Sequence, residues 1–234
     1  MSATLYGLGV GPGDPDLITL KAHRILSSVP VIAYPAPDTG PSLARAIAAP
    51  HIPGGRIEIA IRTPMVAGNF PAHDVYDRYS AIFAEHLAAG RDVAVLCEGD
   101  PFLYGSFMYV FARLANAHKI EVVPGVSSIG ACAANAGMPL ASRNQVLSIV
   151  PAPLPEADLE RRLKDADCAV VMKVGRHLGK VRRVIERLGL LADARYIERA
   201  TMAEERILPL ADVPGDSAPY FSTILVRRPE ETRS

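Results

Sequence analysis

A chain of 234 residues that is 49% apolar can bury the core of one large α/β domain or of two small ones, which excludes disorder as its main state. Lysine plus arginine and aspartate plus glutamate balance at 25 each, so no global field favours nucleic acid or an anionic membrane, and any anionic ligand must be met locally. The cysteines Cys97, Cys132 and Cys168 form no CxxC pair and read as reduced core thiols; MSATLYGLGV lacks a basic leader, and no run approaches a membrane span, so a cytoplasmic protein is expected.

Thr4 to Val10 is short, apolar and bounded by glycine, a strand. DPDLITLKAHRILSS follows with Leu17, Leu20 and Ile25/Leu26 at helical spacing, and Asp14 and Asp16 at the start of that helix. VPVIAYP reads as a buried strand, Ser42 as the cap of a short alanine-rich helix, and RIEIAI as a half-exposed strand. Asp74 to Ala89 carries Val75, Tyr79, Ile82, Phe83 and Leu87 on one face and stops at Gly90 before the strand DVAVL. Phe107 to Leu114 is helical, IEVV a strand, and VPGVSSIGACAANAG a Pro-Gly turn into a small-residue helix ended by Gly137. Alternating strands and helices imply a mostly parallel sheet. Beyond it, QVLSIV, CAVVM, ARYIE, ERILPL and YFSTILV are strands with only two intervening helices, near Glu156 to Lys164 and His177 to Leu188, so antiparallel pairing and an α+β second domain are expected. The tail RRPEETRS looks loose. The expected class is therefore α/β in two αβ domains, a mostly parallel N-terminal sheet over 1–125 and a mixed C-terminal sheet over 126–234, with the boundary within about 115–144.

Four motifs carry the candidate chemistry. GLGVGPGD has glycines at 7, 9, 11 and 13, but Pro12 and Asp14 stand where a dinucleotide fingerprint needs its last glycine, and no Gly-Lys-Ser/Thr follows. LCEGDPFLYGSFMY puts Glu98 and Asp100 at a strand's carboxyl end around Gly99 and Pro101; metal ligation lacks partners, since the six histidines show no ligand pattern, and a shaped loop of hydrogen-bond acceptors survives best. PGVSS places Ser127 and Ser128 at a helix start, where capping alone would explain them, and GVSSIG is not a hydrolase elbow. Arg176, Arg182, Arg183 and Arg187 read as a solvated helix face, and Phe102, Tyr104, Phe107, Met108, Tyr109 and Phe111 as core more than cofactor box, with Tyr104 able to face a ligand.

In their order along one chain, GLGVGPGDPDLITLKA, LCEGDPFLYGSFMY, VVPGVSS, ERATMAEE and YFSTILV resemble the tetrapyrrole methyltransferase family, from about Leu5 to Val226. The wording LCEGDPFxYGSFMY with ASRNxVLxxxPAPLP and ERATMAEE is similar to the subgroup that methylates the C-20 meso carbon of precorrin-2 to give precorrin-3A in cobalamin biosynthesis. The resemblance implies an active site in a cleft between the two domains, a tetrapyrrole trough on the N-terminal side, S-adenosyl-L-methionine held on the C-terminal side and released as S-adenosyl-L-homocysteine, no metal, and a homodimer with neither nucleic-acid nor membrane partner. Carried over by motif, Pro12, Glu98, Gly99, Asp100, Leu103, Ser127, Ser128, Met172, Ala200 and Ser222 would bind the cofactor. Gly11, Gly13, Arg62 and Arg143 are the candidates for substrate contact. Glu98 stands where several members have glycine, although not those of this subgroup.

Methyl transfer from a sulfonium needs orientation more than a nucleophilic side chain, and orientation can contribute roughly 7 to 11 kcal/mol. A base could remove the proton that leaves the methylated carbon, with Asp14, Glu98, Asp100 and Tyr104 as candidates. The alternatives are the same methylation on cobalt-factor II, another tetrapyrrole methyltransferase, a relative acting on ribosomal RNA or a translation factor, a tetrapyrrole carrier without turnover, and a nucleotide-dependent oxidoreductase.

Overall fold

The structure, a computed structural model, describes residues 3–63 and 72–228. The chain divides into two compact units, Met1–Ser127 and Ser128–Ser234. The first contains β1 (Thr4–Gly9), α1 (Leu20–Leu26), β2 (Val31–Pro37), α2 (Leu43–Ala48), β3 (Ile57–Thr63), α3 (Ala72–Ala88), β4 (Val93–Cys97), α4 (Phe107–Leu114) and β5 (Lys119–Val123). All of its strand pairs are parallel, in the order β3-β2-β4-β1-β5. Right-handed crossovers then send helices to both faces. Alternation along β4 divides the core accordingly, with Val93, Val95 and Cys97 facing Phe83 of α3 and Phe107 of α4, and Ala94 and Leu96 facing Leu26 of α1 and Ile47 of α2. A strand covered on both faces is apolar throughout, which is why all five residues of β4 are buried.

β1 and β4 are neighbours whose connections leave in opposite directions, β1 toward β2 and β4 over β1 to β5. Where such connections diverge, a crevice opens at the strands' carboxyl ends, the usual ligand edge of an open parallel sheet. The glycine loop follows β1, the Glu98–Asp100 turn follows β4, and Pro-Gly-Val-Ser follows β5. Three motifs about 25 to 90 residues apart thus leave three adjacent strands at one edge.

The second unit contains α5 (Ser128–Asn135), β6 (Leu147–Pro151), α6 (Glu156–Lys164), β7 (Cys168–Met172), α7 (Leu178–Arg187), β8 (Ala194–Glu198), β9 (Arg206–Pro209) and β10 (Ser222–Arg227). Its sheet is mixed, in the order β6-β7-β10-β8-β9; β6 and β7 are parallel, while β10 runs antiparallel to both β7 and β8. Leu159 and Leu163 of α6 and Leu178, Val181, Val184 and Ile185 of α7 close the core over Val171, Tyr196 and Ile224. Two αβ layers, one parallel and one mixed, are what the sequence implied.

Some local expectations fail for physical reasons. The helix after the glycine loop does not begin at the acidic residues. Asp14 accepts from the Asp16 N–H at 2.9 Å and caps a 3₁₀ turn, Pro15–Leu17, and Thr19 then starts α1 by accepting from the Ala22 N–H at 3.2 Å. The phase shift leaves Leu20, expected in the buried stripe, 76% exposed and buries Ala22, while Leu26 is buried as the spacing implied. Arg182 is not on a solvated face: Nη2 donates to the Val213 and Gly215 carbonyls at 2.8 Å each and straps that loop to α7. Arg183 and Arg187 do lie outside, paired with Glu156 and Glu160 of α6. Arg227 of the loose-looking tail belongs to β10, and Arg228 is anchored on the Leu163, Lys164 and Ala166 carbonyls; the remainder, 229–234, lies outside the described residues. Phe102, assigned to the core, is half exposed and touches Phe111 edge-on, with ring centroids 5.2 Å apart.

Gly7 in β1 faces α4, and a Cβ built there would lie within the Phe107 ring, 2.8 Å from Cζ. Gly7→Ala is therefore expected to cost about 1–3 kcal/mol by overpacking a fully buried aromatic. Adding Phe107→Leu should recover most of the loss in urea unfolding, and an unchanged midpoint for Gly7→Ala alone would refute the contact.

Candidate functional site

At the carboxyl edge of the first sheet the three loops are locked through main chain. The Gly99 N–H donates to the Gly11 carbonyl at 2.8 Å and the Val10 N–H to the Cys97 carbonyl at 2.9 Å, joining the β1 loop to the β4 loop. The β5 loop then presses against both. A Cβ on Gly9 would lie 2.5 Å from the Gly125 Cα and 2.6 Å from the Gly99 oxygen, and one on Gly125 would fall on that same oxygen. No residue with a side chain fits at either position.

Asp100 completes the junction. One carboxylate oxygen accepts from the Phe102 N–H at 2.9 Å and the other from the Gly125 N–H at 3.0 Å, so the side chain closes its own turn and holds the β5 loop. The turn continues through Leu103, whose N–H reaches the Asp100 carbonyl at 3.4 Å. Next comes Tyr104 at φ 57°, then Gly105, where a Cβ would lie 2.8 Å from the Asp100 carbonyl oxygen. Tyr104 is 42% exposed, and a bulky residue in the left-handed region costs on the order of 1–3 kcal/mol, a strain found at binding loops.

Glu98 reaches toward α2. Its carboxylate accepts from the Ala44 N–H at 3.2 Å, in the first turn of α2, which Ser42 also caps through the Arg45 N–H at 3.2 Å. Burial pushes the Glu98 carboxyl above its ordinary value, opposed by the amide hydrogens of Glu98 itself and Ala44. Pro12 and Gly11 are buried in the first loop, with Gly11 at φ 80°, and Gly13 is partly exposed beside them. Ser127 ends the β5 loop and Ser128 begins α5. Arg62 lies at the same carboxyl edge on β3, three strands from β1 and so about 14 Å away. Its Nη1 donates to the Pro37 and Asp38 carbonyls at 2.8 and 3.1 Å.

In the second unit, Met172 ends β7, Ala200 follows β8 and Ser222 begins the antiparallel β10, so the three gather at one end of the sheet. That end is strained. Of the five described non-glycine residues with positive φ, three lie there, Lys173 at 59°, Arg199 at 49° and Thr201 at 67°. Ala200, between the last two, is 7% exposed, and neither its N–H nor its carbonyl meets a hydrogen-bonding partner among the described residues. Buried main-chain groups are seldom left so. Ser222 plays a different part. It is 3% exposed and bonds the Tyr196 hydroxyl at 3.0 Å; Tyr196 donates to Glu198 at 2.9 Å, so Ser222 is the donor to Tyr196. Arg143 is not with this group: it precedes β6, at the end of the sheet opposite Met172.

The cysteines are buried free thiols; burial pushes all three upward, Cys132 to about 11, so none is poised as a nucleophile. Among the described residues no three His, Cys, Asp or Glu side chains form a metal-sized cluster, and no helix is long and apolar enough to cross a membrane. Gly9, Gly125, Tyr196 and Glu205 are not singled out as site residues by the sequence, because contacts such as Gly9 with Gly125, Tyr196 with Ser222 and Glu205 with Asn135 join positions far apart along it.

An open parallel sheet with a built ligand edge, joined in sequence to a mixed sheet with a strained end, defines a class of two-unit α/β ligand-binding proteins. A model of the Tetrapyrrole (Corrin/Porphyrin) Methylases matches residues 4–214, and the chain belongs to that family. It is 44% identical over 231 residues to the cobalamin biosynthesis protein CobIJ of Mycobacterium tuberculosis, covering 95% of this chain and 46% of that protein. The chain thus spans about half the length of that relative. It is 42% identical to a precorrin-2 C(20)-methyltransferase of Sinorhizobium sp, over 95% and 94% of the two chains, and 35% identical to the cobalt-precorrin-2 C(20)-methyltransferase of Salmonella typhimurium, over 97% and 98%. The fold is shared with the uroporphyrin-III C-methyl transferase of Thermus thermophilus complexed with S-adenyl homocysteine, at TM-score 0.71, 24% identity and coverage of 96% and 92%.

Two outcomes follow from the carboxylates. Asp100→Ala strips acceptors from two amides and should cost about 2–3 kcal/mol in urea unfolding, with Asp100→Asn, which keeps one acceptor, losing about half of that; a loss below about 0.5 kcal/mol would show the clamp to be idle. For Glu98, the raised folded-state value means that its contribution to stability is complete below pH 4.5 and is lost as pH rises through that value. Glu98→Gln stays neutral and keeps an acceptor for Ala44, so its unfolding midpoint should exceed that of the wild type increasingly as pH rises above 4.5, until Glu98 is ionised in the folded state. Parallel pH profiles would refute the buried charge.

Proposed function

We propose that the chain is an S-adenosylmethionine-dependent C-methyltransferase acting on the C-20 meso carbon of precorrin-2. The observation that carries this reading is the 42% identity, over nearly the whole of both chains, to the Sinorhizobium precorrin-2 C(20)-methyltransferase. The loops fit a cationic cofactor: 10–19, 98–106 and 124–127 hold Asp14, Asp16, Glu98 and Asp100 and no lysine or arginine. A phosphate-rich cofactor would meet repulsion there, whereas a sulfonium bearing an ammonium group and ribose hydroxyls finds acceptors. In the second unit, the unpartnered N–H and carbonyl of Ala200 suit the amino and ring nitrogen edge of an adenine, and Met172 offers a polarizable side chain. The Thermus thermophilus protein of the same fold, complexed with S-adenyl homocysteine, supports that class of cofactor.

The bound sulfonium supplies a methyl group for in-line displacement by the electron-rich meso carbon. The chain's own task is orientation, which rigid loops perform best: the Gly9–Gly99–Gly125 junction and the Asp100 clamp fix the first-unit edge before any ligand arrives. Asp100, with one amide on each oxygen, shapes the loop. Glu98, whose carboxyl burial pushes above its ordinary value, is the proposed base. Arg62, anchored through one nitrogen on two carbonyls, keeps the rest of its guanidinium for a substrate carboxylate. A second reading, the cobalt complex as substrate, has the 35% identity to the Salmonella relative in its favour.

Incubation with methyl-labelled cofactor and precorrin-2, beside its cobalt complex, should place one label on precorrin-2 at the higher kcat/KM. Glu98→Gln should fall about 10²- to 10⁴-fold in kcat. Faster transfer to the cobalt complex would select the second reading; no transfer to either would end both.

A further inference from the structure

The turn that presents Ala200 is held by groups to which the methyltransferase reading gives no task. Glu205 Oε2 accepts from the Thr201 N–H at 2.6 Å and from Nδ2 of Asn135 at 2.7 Å, both bonds ending on the same oxygen. Asn135 is the last residue of α5, whose first residue is Ser128 of the Pro-Gly-Val-Ser-Ser motif. One carboxylate therefore joins the far end of that helix to the ERATMAEE turn. The turn also leans on β10 through the Arg199 N–H, which donates to the Phe221 carbonyl at 2.8 Å, and on Glu198 through an Arg199 contact of 3.5 Å.

Such a clamp matters because the turn is strained. Arg199 and Thr201 both sit in the left-handed region, each at a cost that only the surrounding contacts can offset. Without Glu205 the Thr201 N–H loses this bond, and the strained peptide groups beside it are held less firmly. Ala200 has no hydrogen bond of its own to hold it. Its N–H and carbonyl direction is therefore set by its two neighbours, one of which Glu205 fixes.

We infer that Glu205 is a positioning residue: with Asn135 it holds Thr201 so that the Ala200 main chain keeps the direction in which it meets the cofactor. This rests on the methyltransferase reading above and concerns how the adenine edge is received, not the transfer step. Because both bonds end on one oxygen, glutamine can replace the acceptor and alanine cannot.

S-adenosylhomocysteine is titrated calorimetrically into the wild type, Glu205→Ala, Glu205→Gln and Asn135→Ala. Loss of two hydrogen bonds to a charged acceptor should weaken binding roughly ten- to a hundredfold in Glu205→Ala. Glu205→Gln should stay within about threefold of the wild type, and Asn135→Ala should fall between, with kcat at saturating cofactor little changed in all three. Amide hydrogen exchange of 199–205 in the ligand-free proteins should accelerate in Glu205→Ala and not in Glu205→Gln. Wild-type affinity in a folded Glu205→Ala, or an equal loss in Glu205→Gln, overturns the inference; if Glu205→Ala does not fold, wild-type affinity in Asn135→Ala does so. A wild type that binds no S-adenosylhomocysteine overturns the methyltransferase reading itself, while exchange still decides whether Glu205 holds the turn.

Discussion

Everything at the ligand edge of the first unit depends on three peptide groups packed face to face without side chains between them. Gly9 ends β1, Gly99 follows β4 and Gly125 follows β5, and a single Cβ at Gly9 or Gly125 would collide with the others' backbone. The parallel sheet brings the strands to their usual spacing, but loops leaving neighbouring strands would ordinarily splay to make room for side chains. With glycine at the junction they close, and the Gly99 to Gly11 hydrogen bond and the Asp100 clamp become geometrically available. The edge is therefore rigid through main chain, which suits a task made mostly of orientation.

Charge is used in the same economical way. Three acidic residues of the motifs, Asp14, Glu98 and Asp100, all accept from nearby amide hydrogens, one closing a 3₁₀ turn, one meeting the first turn of α2 and one joining two loops. Each satisfies main-chain donors that a loop would otherwise leave bare, and together they make the edge acidic with no lysine or arginine in the loops. Glu98 differs in that burial pushes its carboxyl above its ordinary value, so its charge opposes folding.

The second unit reaches an equivalent end by strain. Lys173, Arg199 and Thr201 adopt left-handed conformations without being glycine; Glu205 holds the Thr201 N–H, and Arg199 is bonded to the Phe221 carbonyl and to Glu198, which lies in a buried polar set with Tyr196 and Ser222. Glycine at these positions would remove the strain, but it would also remove the side chains that anchor the turn. Ser222, a candidate for cofactor contact, is one of the buried polar groups bonded within the layer.

Apolar periodicity and glycine or proline punctuation determined most of the elements, because strand and helix repeats are local: α4 over Phe107–Leu114 and α6 over Glu156–Lys164 fall where the pattern put them. Local chemistry failed where two short signals competed, as at Asp14 and Thr19, each a legitimate cap, so that spacing alone could not choose the start of α1. The order of the motifs was enough to indicate the family, since wording along a chain survives without coordinates. What the tertiary structure alone decided is which residues of those motifs meet. Gly9, Gly99 and Gly125 come together only because β1 lies between β4 and β5, and Thr201 and Asn135 only because one carboxylate reaches both. Such contacts depend on strand order and backbone direction, and a linear pattern of residue types encodes neither in a form that can be read without folding the chain.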